Sequence, residues 1–414
     1  MSERASYAGG PLPRYLLLGA TVFLVCIGLV MVYSASTASD LVNFSDSSHH
    51  LKRQLMWVTV GMAALLLARL VDYRKLTNLS WPLYLASAAA LVVVLTPLGV
   101  AKWGAQRWID LGFTTIQPSE YAKLACVMLT AHLLTRHHER KIDDREFWGR
   151  LFLSFAVVVG LVMLQPDMGT TISIAVAVFA VLFLGGIPWS YIGGMLVAAG
   201  VVGGVAIAVA PYRMARFTAF LDPWADPEGG GFQTIQAFLA FGSGGLDGVG
   251  LGMSRQKFFY LPAAHTDFIF AIIGEELGLI GTLAIVAAFG VFAYAGIRIA
   301  LGARDEFGRL LAGGLTAMII TQAMMNMAAV TGLMPVTGIP LPLVSFGGSS
   351  MTFTMACIGL ILSVSTNGSR GVRAVGGTRE GKVTKRARGD ERRRNGRSHL
   401  SGIDGGRSTS RRRA

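Results

Sequence analysis

The sequence predicts an all-α integral membrane protein of about ten transmembrane helices, with one large extracytoplasmic loop and both termini cytoplasmic. Three observations carry this. Of the 414 residues, 52% are apolar and only 15% are charged, whereas soluble domains hold roughly 25% charged residues. Apolar runs of about 20 residues recur along the chain, each long enough to cross a ~30 Å hydrocarbon core. Lys and Arg crowd alternate loops, as they do on the cytoplasmic side of membrane proteins.

The predicted spans are 15–37, 54–71, 81–98, 118–135, 151–165, 168–184, 188–210, 268–299, 308–330 and 343–365. Residues 1–14 precede them as a cytoplasmic tail. The first run is too long for a signal-peptide core and lacks a small-residue cleavage site, so it is expected to stay in the protein. The fifth and sixth spans are short and are separated by "QPD" at 165–167. Orientation follows from Arg69, Arg74 and Lys75 after span two, Arg136, Arg140, Lys141, Arg145 and Arg150 after span four, and Arg298, Arg304 and Arg309 around the loop after span eight. The transmembrane domain thus covers 15–366. Cys26, Cys126 and Cys357 all fall inside apolar runs, which implies no disulfide framework.

The net charge of +13 is concentrated: fifteen of the 37 Lys and Arg lie beyond Asn367. Residues 367–414 are rich in Gly, Ser and Arg with few apolar residues, so they are expected to be disordered. Such a tail suits an anionic cytoplasmic leaflet better than nucleic acid.

Residues 211–266 form the exceptional outer loop, and loops of this length are usually functional or disordered. Phe232 to Phe241 has apolar helical spacing, which predicts a short interfacial helix. "GSGGLDGVGLG" after it does not match a phosphate-cradling loop and reads as a run of glycine turns.

Ionisable groups at the spans are few, and such groups usually face a bundle interior or a watery cavity. Arg107, Glu120, Lys123, Asp167 and Asp267 all fall toward the outer side, which predicts an outward-opening polar cavity. Pro118 suits the first position of a helix. Glu120 and Lys123, three apart on that helix, either form an ion pair pinning two helices or line the cavity. Asp167 and Asp267 each stand at a helix start and could serve as caps. Below Asp267, on one face, Ala271, Gly274 and Gly278 make a strip that could admit another helix or a lipid chain. Glu275 should lie about 12 Å deeper and ~80° around, with Glu276 on the opposite side. At least one glutamate must then pair elsewhere or be protonated.

Several chemistries are absent from the sequence. There is no HExxH and no Cys/His ligand spacing, so no zinc site is expected. No GxSxG elbow and no Walker A motif occur, so no nucleotide is expected either. The adjacent pairs His49–His50 and His137–His138 suit exposed polar positions better than a metal. Carboxylates with a lysine and an arginine around an outward cavity suit chemistry on a lipid-linked anionic substrate. A carrier that flips such a lipid fits the composition equally. No inverted repeat is evident, however, and the charges gather on one side rather than at the midplane. A scaffold would need no charges there.

"GAQRWIDLG…IQPSEYAK", "QPDMGT", "FLDP…GFQTIQAFLAFGSGG", "GLGMSRQKFFYLPAAHTDFIFAIIGEELG" and "GLMPVTGIPLPLVSFGGSS" resemble the SEDS family of shape, elongation, division and sporulation proteins. The motifs run in family order from about residue 15 to 366, with the division branch closer than the elongation branch. Phe346 stands where the family often has Tyr, and Ala237 where it often has Ser.

The resemblance implies a peptidoglycan glycosyltransferase in the bacterial cytoplasmic membrane at the division septum. It implies lipid II as substrate, and a class B penicillin-binding protein and other division proteins as partners. It makes Asp267 the essential acidic residue, as base or as ligand of a divalent cation (Mg or Mn), with Asp167 a second candidate ligand. Arg107, Glu120, Lys123 and Asp167 become cavity residues. Gln117, Ser119, His265, Ser349 and Ser350, from the same motifs, complete the candidate set.

Overall fold

Long apolar runs become helices because lipid offers the backbone N–H and C=O groups no other partner. The computed structural model describes residues 11–102, 105–110, 112 and 114–366. The expectations placed on residues 1–10 and on the basic tail 367–414 lie outside the described residues.

Helices α1 (Leu12–Phe44), α2 (His49–Leu70) and α3 (Tyr73–Val94) lead into strands β1 (Gly99–Lys102), β2 (Ala105–Asp110) and β3 (Thr115–Ile116). Helices α4 (Pro118–His138), α5 (Asp144–Leu164), α6 (Met168–Leu184) and α7 (Trp189–Val209) follow. The large loop holds α8 (Pro211–Leu221) and α9 (Phe232–Gly244), and the chain continues with α10 (Ile269–Leu301) and α11 (Glu306–Val330). Helix α12 is Gly348–Thr366.

Among the described residues, eight helices are long and apolar enough to cross a membrane, and α6 is a shorter apolar helix of 17 residues. Helix α4, with Glu120, Lys123 and a basic last turn, is too polar to count with those eight, yet most of it is buried. The predicted spans therefore all appear as helices of a multi-pass membrane protein. Helix α7 lies at the margin, with only Ile192 buried. Carboxylates in the loops start several helices: Asp72 caps α3, Asp143 caps α5 and Asp305 caps α11, each accepting a backbone N–H of the first turn.

Four features differ from expectation. The third span is α3 at 73–94 rather than 81–98, because Pro82 is tolerated inside the helix and the chain turns at Leu95. The segment after it is not plain loop but a three-stranded antiparallel sheet in the order β1-β2-β3, with Val100 opposite Trp108 and Ile109 opposite Ile116. This sheet is the one addition to the all-α class among the described residues. The tenth span starts at Gly348, since 340–347 is irregular chain packed back into the bundle.

The fourth difference is the largest. Span eight is not one continuous helix. Gly278 has φ +65° and ψ −162°, and α10 breaks there into two pieces. A left-handed φ is cheap only for glycine. The glycine-rich chain after α9 fills the break. Leu279 and Ile280 donate their N–H groups to the carbonyls of Gly245 and Leu246, while Val249 and Gly250 donate to those of Glu275 and Glu276. The small-residue strip does admit another helix: a side chain on Gly274 would collide with the Phe241 ring of α9. The expected glycine turns are present, with positive φ at Gly245, Gly248, Gly250 and Gly252.

Candidate functional site

Asp267 ends an irregular stretch whose backbone is fastened from several sides. Asn326 of α11 donates to the Asp267 carbonyl at 2.7 Å and to that of Ile339 at 2.8 Å. Ser345 Oγ donates to the Thr266 carbonyl at 2.6 Å, and the Phe346 N–H donates to the His265 carbonyl at 3.0 Å. The carboxylate itself makes no hydrogen bond among the described residues. The helix starts at Ile269 with Phe268 as its unassisted cap. Asp267 is thus not an N-cap, because the helix begins two residues later. Its carboxyl faces a hollow lined by Asn326, Val336, Thr337 and Gly338.

Asp167 is a cap. It accepts from the Thr170 N–H at 3.1 Å and the Thr170 hydroxyl at 2.9 Å, starting α6. Gln117 donates to it at 3.4 Å. Arg107, carried on β2, donates from Nε to the Gln165 carbonyl at 3.1 Å and from Nη2 to the Pro166 carbonyl. Its Nη1 lies 3.9 Å from the Asp167 carboxylate. The sheet therefore holds an arginine against the turn that separates α5 from α6.

These groups set the charge around Asp267. Burial raises its pKa to about 6, the fields of Arg216 and Arg107 pull it back down, and Asp167 pushes it up. A carboxylate in that range is half ionised near pH 6 and a stronger base than an ordinary aspartate.

Glu120 and Lys123 form the ion pair. Lys123 Nζ lies 2.9 Å from Glu120 and donates to Gln322 of α11 at 2.6 Å, with both charged residues almost wholly buried. The Lys123 ammonium also lies 5.6 Å from the centre of the Phe353 ring of α12. The pair joins three helices, and the second carboxylate oxygen of Glu120 has no partner among the described residues. Ser119 is fully buried, and its hydroxyl also has no partner among them. Ser349 donates to the Thr115 carbonyl at 3.2 Å, tying α12 to β3. Ser350 is half-buried beside it.

His265 packs its ring 4.5 Å from that of His50 and 5.9 Å from that of Phe346. Burial, with some help from His50, lowers its pKa to about 4, so it is neutral. His50 is not the exposed polar residue expected. Its ring pairs with the carboxylate of Asp40, which is fully buried and also accepts from Ser36 at 3.0 Å.

Glu275 and Glu276 are accounted for by the re-entrant chain. Glu275 accepts from the Ser254 hydroxyl and from the Arg255 N–H at 2.8 Å. Glu276 accepts from Ser34 of α1 at 2.7 Å and pairs with Lys257 at 3.2 Å. Both glutamates are almost wholly buried, and neither touches Asp267. An apolar helix accepts them because they satisfy the backbone and lysine of the loop that fills its break.

Sequence reasoning missed Arg216, Asn326 and the Asp40–His50 pair. Arg216 had a local signal: "PYRMARFTAFL" has Pro at a helix start and arginines three apart. Asn326 had none, since it acts on a segment 59 residues away, whereas Asp40 pairs with the nearby His50 across the turn between α1 and α2.

A family model described as "Cell cycle protein", built on FtsW, RodA and SpoVE, matches residues 15–370. Stage V sporulation protein E of Bacillus subtilis is 43% identical over 360 residues, spanning 85% of this chain and 97% of its own. The probable peptidoglycan glycosyltransferase FtsW of Geobacter metallireducens is 40% identical over 351 residues, 84% of this chain and 94% of its own. Among solved structures, a chain from work on the coordination of polymerization and crosslinking by a peptidoglycan synthase complex superposes with a TM-score of 0.71 at 32% identity, covering 85% of this chain and 97% of that one. The rod shape determining protein RodA of Thermus thermophilus gives 0.64 at 30% identity, covering 86% and 97%.

Proposed function

The chain belongs to the FtsW–RodA–SpoVE family of cell cycle proteins, and from that membership and the geometry around Asp267 we propose that it polymerises lipid II into β-1,4-linked glycan strands at the outer face of the cytoplasmic membrane. Its activity is that of a peptidoglycan glycosyltransferase, the name its FtsW relatives carry. The FtsW names of the relatives at about 40% identity support the division role. The likeness to a peptidoglycan synthase complex supports a crosslinking partner, here a class B penicillin-binding protein, with both acting at the septum among other division proteins.

One observation carries the chemistry: a carboxylate without a hydrogen bond among the described residues, lining a hollow, its pKa raised to about 6 within the fields of two arginines. The donor sugar is α-linked to undecaprenyl pyrophosphate and the product is β-linked, so one displacement inverts the anomeric carbon. Asp267 accepts the proton of the acceptor 4-hydroxyl as its oxygen bonds to that carbon. The carbon–oxygen bond to pyrophosphate breaks, and the electron pair leaves with the lipid. Pyrophosphate leaves readily, so no acid is needed.

Among the described residues, no three His, Cys, Asp or Glu side chains gather as a metal site. Mg²⁺ is often held by only one or two carboxylates plus substrate phosphates. Asp267 fits that role. Asp167, which also accepts from Thr170 and Gln117, has lone pairs left and would be the second ligand. An ion at Asp267 would neutralise charge on the departing pyrophosphate.

Labelled lipid II supplied to the purified chain with its transpeptidase partner tests the proposal. Polymer that disappears in Asp267→Asn supports it. Movement of lipid II between leaflets without polymer would replace it with a carrier.

A further inference from the structure

The departing pyrophosphate needs cations, and the two basic residues among the candidate cavity set are occupied. Arg107 spends Nε and Nη2 on the carbonyls of Gln165 and Pro166. Lys123 is held by Glu120 and Gln322. Arg213 of α8 is also engaged, donating to the carbonyls of Ala206 and Met163.

Arg216, one turn further along α8, is different. It is exposed and donates from Nη1 to the Val336 carbonyl at 3.0 Å, with its guanidinium 4.7 Å from the Tyr212 ring. Its remaining N–H groups make no hydrogen bond among the described residues. They border a hollow also lined by Gly230, Gln233 and Thr234 at the start of α9. Thr234 is 7% exposed, yet its hydroxyl has no partner among the described residues, and neither has the Gln233 amide. Helix α9 begins at Phe232, after Gly231, without a side-chain cap, so the N–H groups that follow Phe232 and the positive end of its dipole lie at this region. Asp226 takes the Gly230 N–H at 2.8 Å and leaves those of Gln233 and Thr234 free. Val336 lines both this hollow and the one that holds Asp267.

We propose that the hollow between α8 and α9 binds the pyrophosphate of the lipid-linked substrate, with Arg216 as its cation and Gln233, Thr234 and the α9 N-terminus as neutral donors. The shared Val336 wall then puts the sugar's anomeric carbon toward Asp267. Arginine suits this role because its fork can hold Val336 on one edge and phosphate oxygens on another. The proposal rests on the glycosyltransferase function above, and binding tests it apart from turnover.

The experiment measures binding of radiolabelled undecaprenyl pyrophosphate to the full chain in nanodiscs of neutral lipid. Arg216→Ala should weaken binding at least tenfold, Arg216→Lys several-fold and Thr234→Val about threefold, while Asp267→Asn binds at least as well as the native chain. Inorganic pyrophosphate should compete, and phosphatidylglycerol should not. If Arg216→Ala does not fold, Arg216→Lys and Thr234→Val carry the test in its place. Native binding that all three variants retain would overturn the subsite and leave the function standing. Arg216-dependent competition by phosphatidylglycerol would assign the hollow to a phospholipid headgroup and overturn it as well. A native chain that binds no undecaprenyl pyrophosphate would sink both the subsite and the glycosyltransferase proposal.

Discussion

Replacing Asp267 by Asn should abolish turnover and yet make the protein more stable at neutral pH. The carboxyl pKa rises from 3.8 to about 6 on folding, mainly through burial. A raised carboxylate pKa means that the fold prefers the protonated form. Its stabilising effect is complete below pH 3.8 and is lost as pH climbs through about 6. The loss at pH 7 is about 3 kcal/mol, at 1.36 kcal/mol for each tenfold change. Asparagine never ionises and escapes that loss, less the attraction to Arg216 and Arg107 that it forgoes. For the native enzyme, roughly a tenth of Asp267 is ionised at pH 5 and nine tenths at pH 7, so the rate should rise about tenfold between them and then level off. His265, held neutral with a pKa of about 4, adds no step in that window. Thermal unfolding of matched nanodisc samples, and lipid II polymerisation from pH 5 to 8, supply the two readouts. A less stable Asp267→Asn at pH 7, or a flat rate between pH 5 and 7, would refute a buried, ionising base.

Other expectations follow from named contacts. Lys123→Ala leaves Glu120 buried and unpaired and should cost about 3–5 kcal/mol, while Lys123→Met with Glu120→Gln should recover most of it in a thermal melt. Gly278→Ala, at a left-handed φ and against the Leu246 carbonyl, should expose the 245–257 segment to protease while α11 stays protected. Arg107→Lys loses the rigid fork that reaches the Gln165 and Pro166 carbonyls and should lower polymerisation about tenfold with binding of the crosslinking partner intact; full activity would reduce Arg107 to a point charge. A cysteine at Gly230 should react with an impermeant thiol reagent from outside the cell and one at Asp144 should not. The opposite pattern would invert the topology.

The bundle was legible because lipid enforces a simple rule: each apolar run of about 20 residues must be a helix. That rule says nothing about short strands in a polar loop, so the sheet that carries Arg107 stayed hidden. It also misleads at "GEELGLIG", where glycine among apolar residues reads as continuous helix and only the incoming chain reveals the break at Gly278. Part of the candidate set was legible through its charges. Arg107, Gln117 and Asp167 do meet, and the field of Asp167 and Arg107 reaches Asp267. Their local roles were not, since both aspartates could have been caps and only Asp167 is one. Arg216 escaped because a loop arginine is ordinarily solvated, and its importance lies in a wall shared with a distant segment.

The break at Gly278 bears on how the protein is made. Beyond it, Leu279 to Leu301 is about 35 Å of helix, enough to cross the membrane alone. The outer piece, Ile269 to Leu277, is too short to do so, and among the described residues its two carboxylates and the carbonyls of Glu275 and Glu276 find partners in residues 249–257 and in Ser34. A ribosome delivering this chain to the insertion machinery thus presents one complete span and one fragment. That fragment must wait for the preceding loop to fold onto it. This piece is therefore expected to reach its final packing only once that loop has folded, after the spans themselves have entered the bilayer.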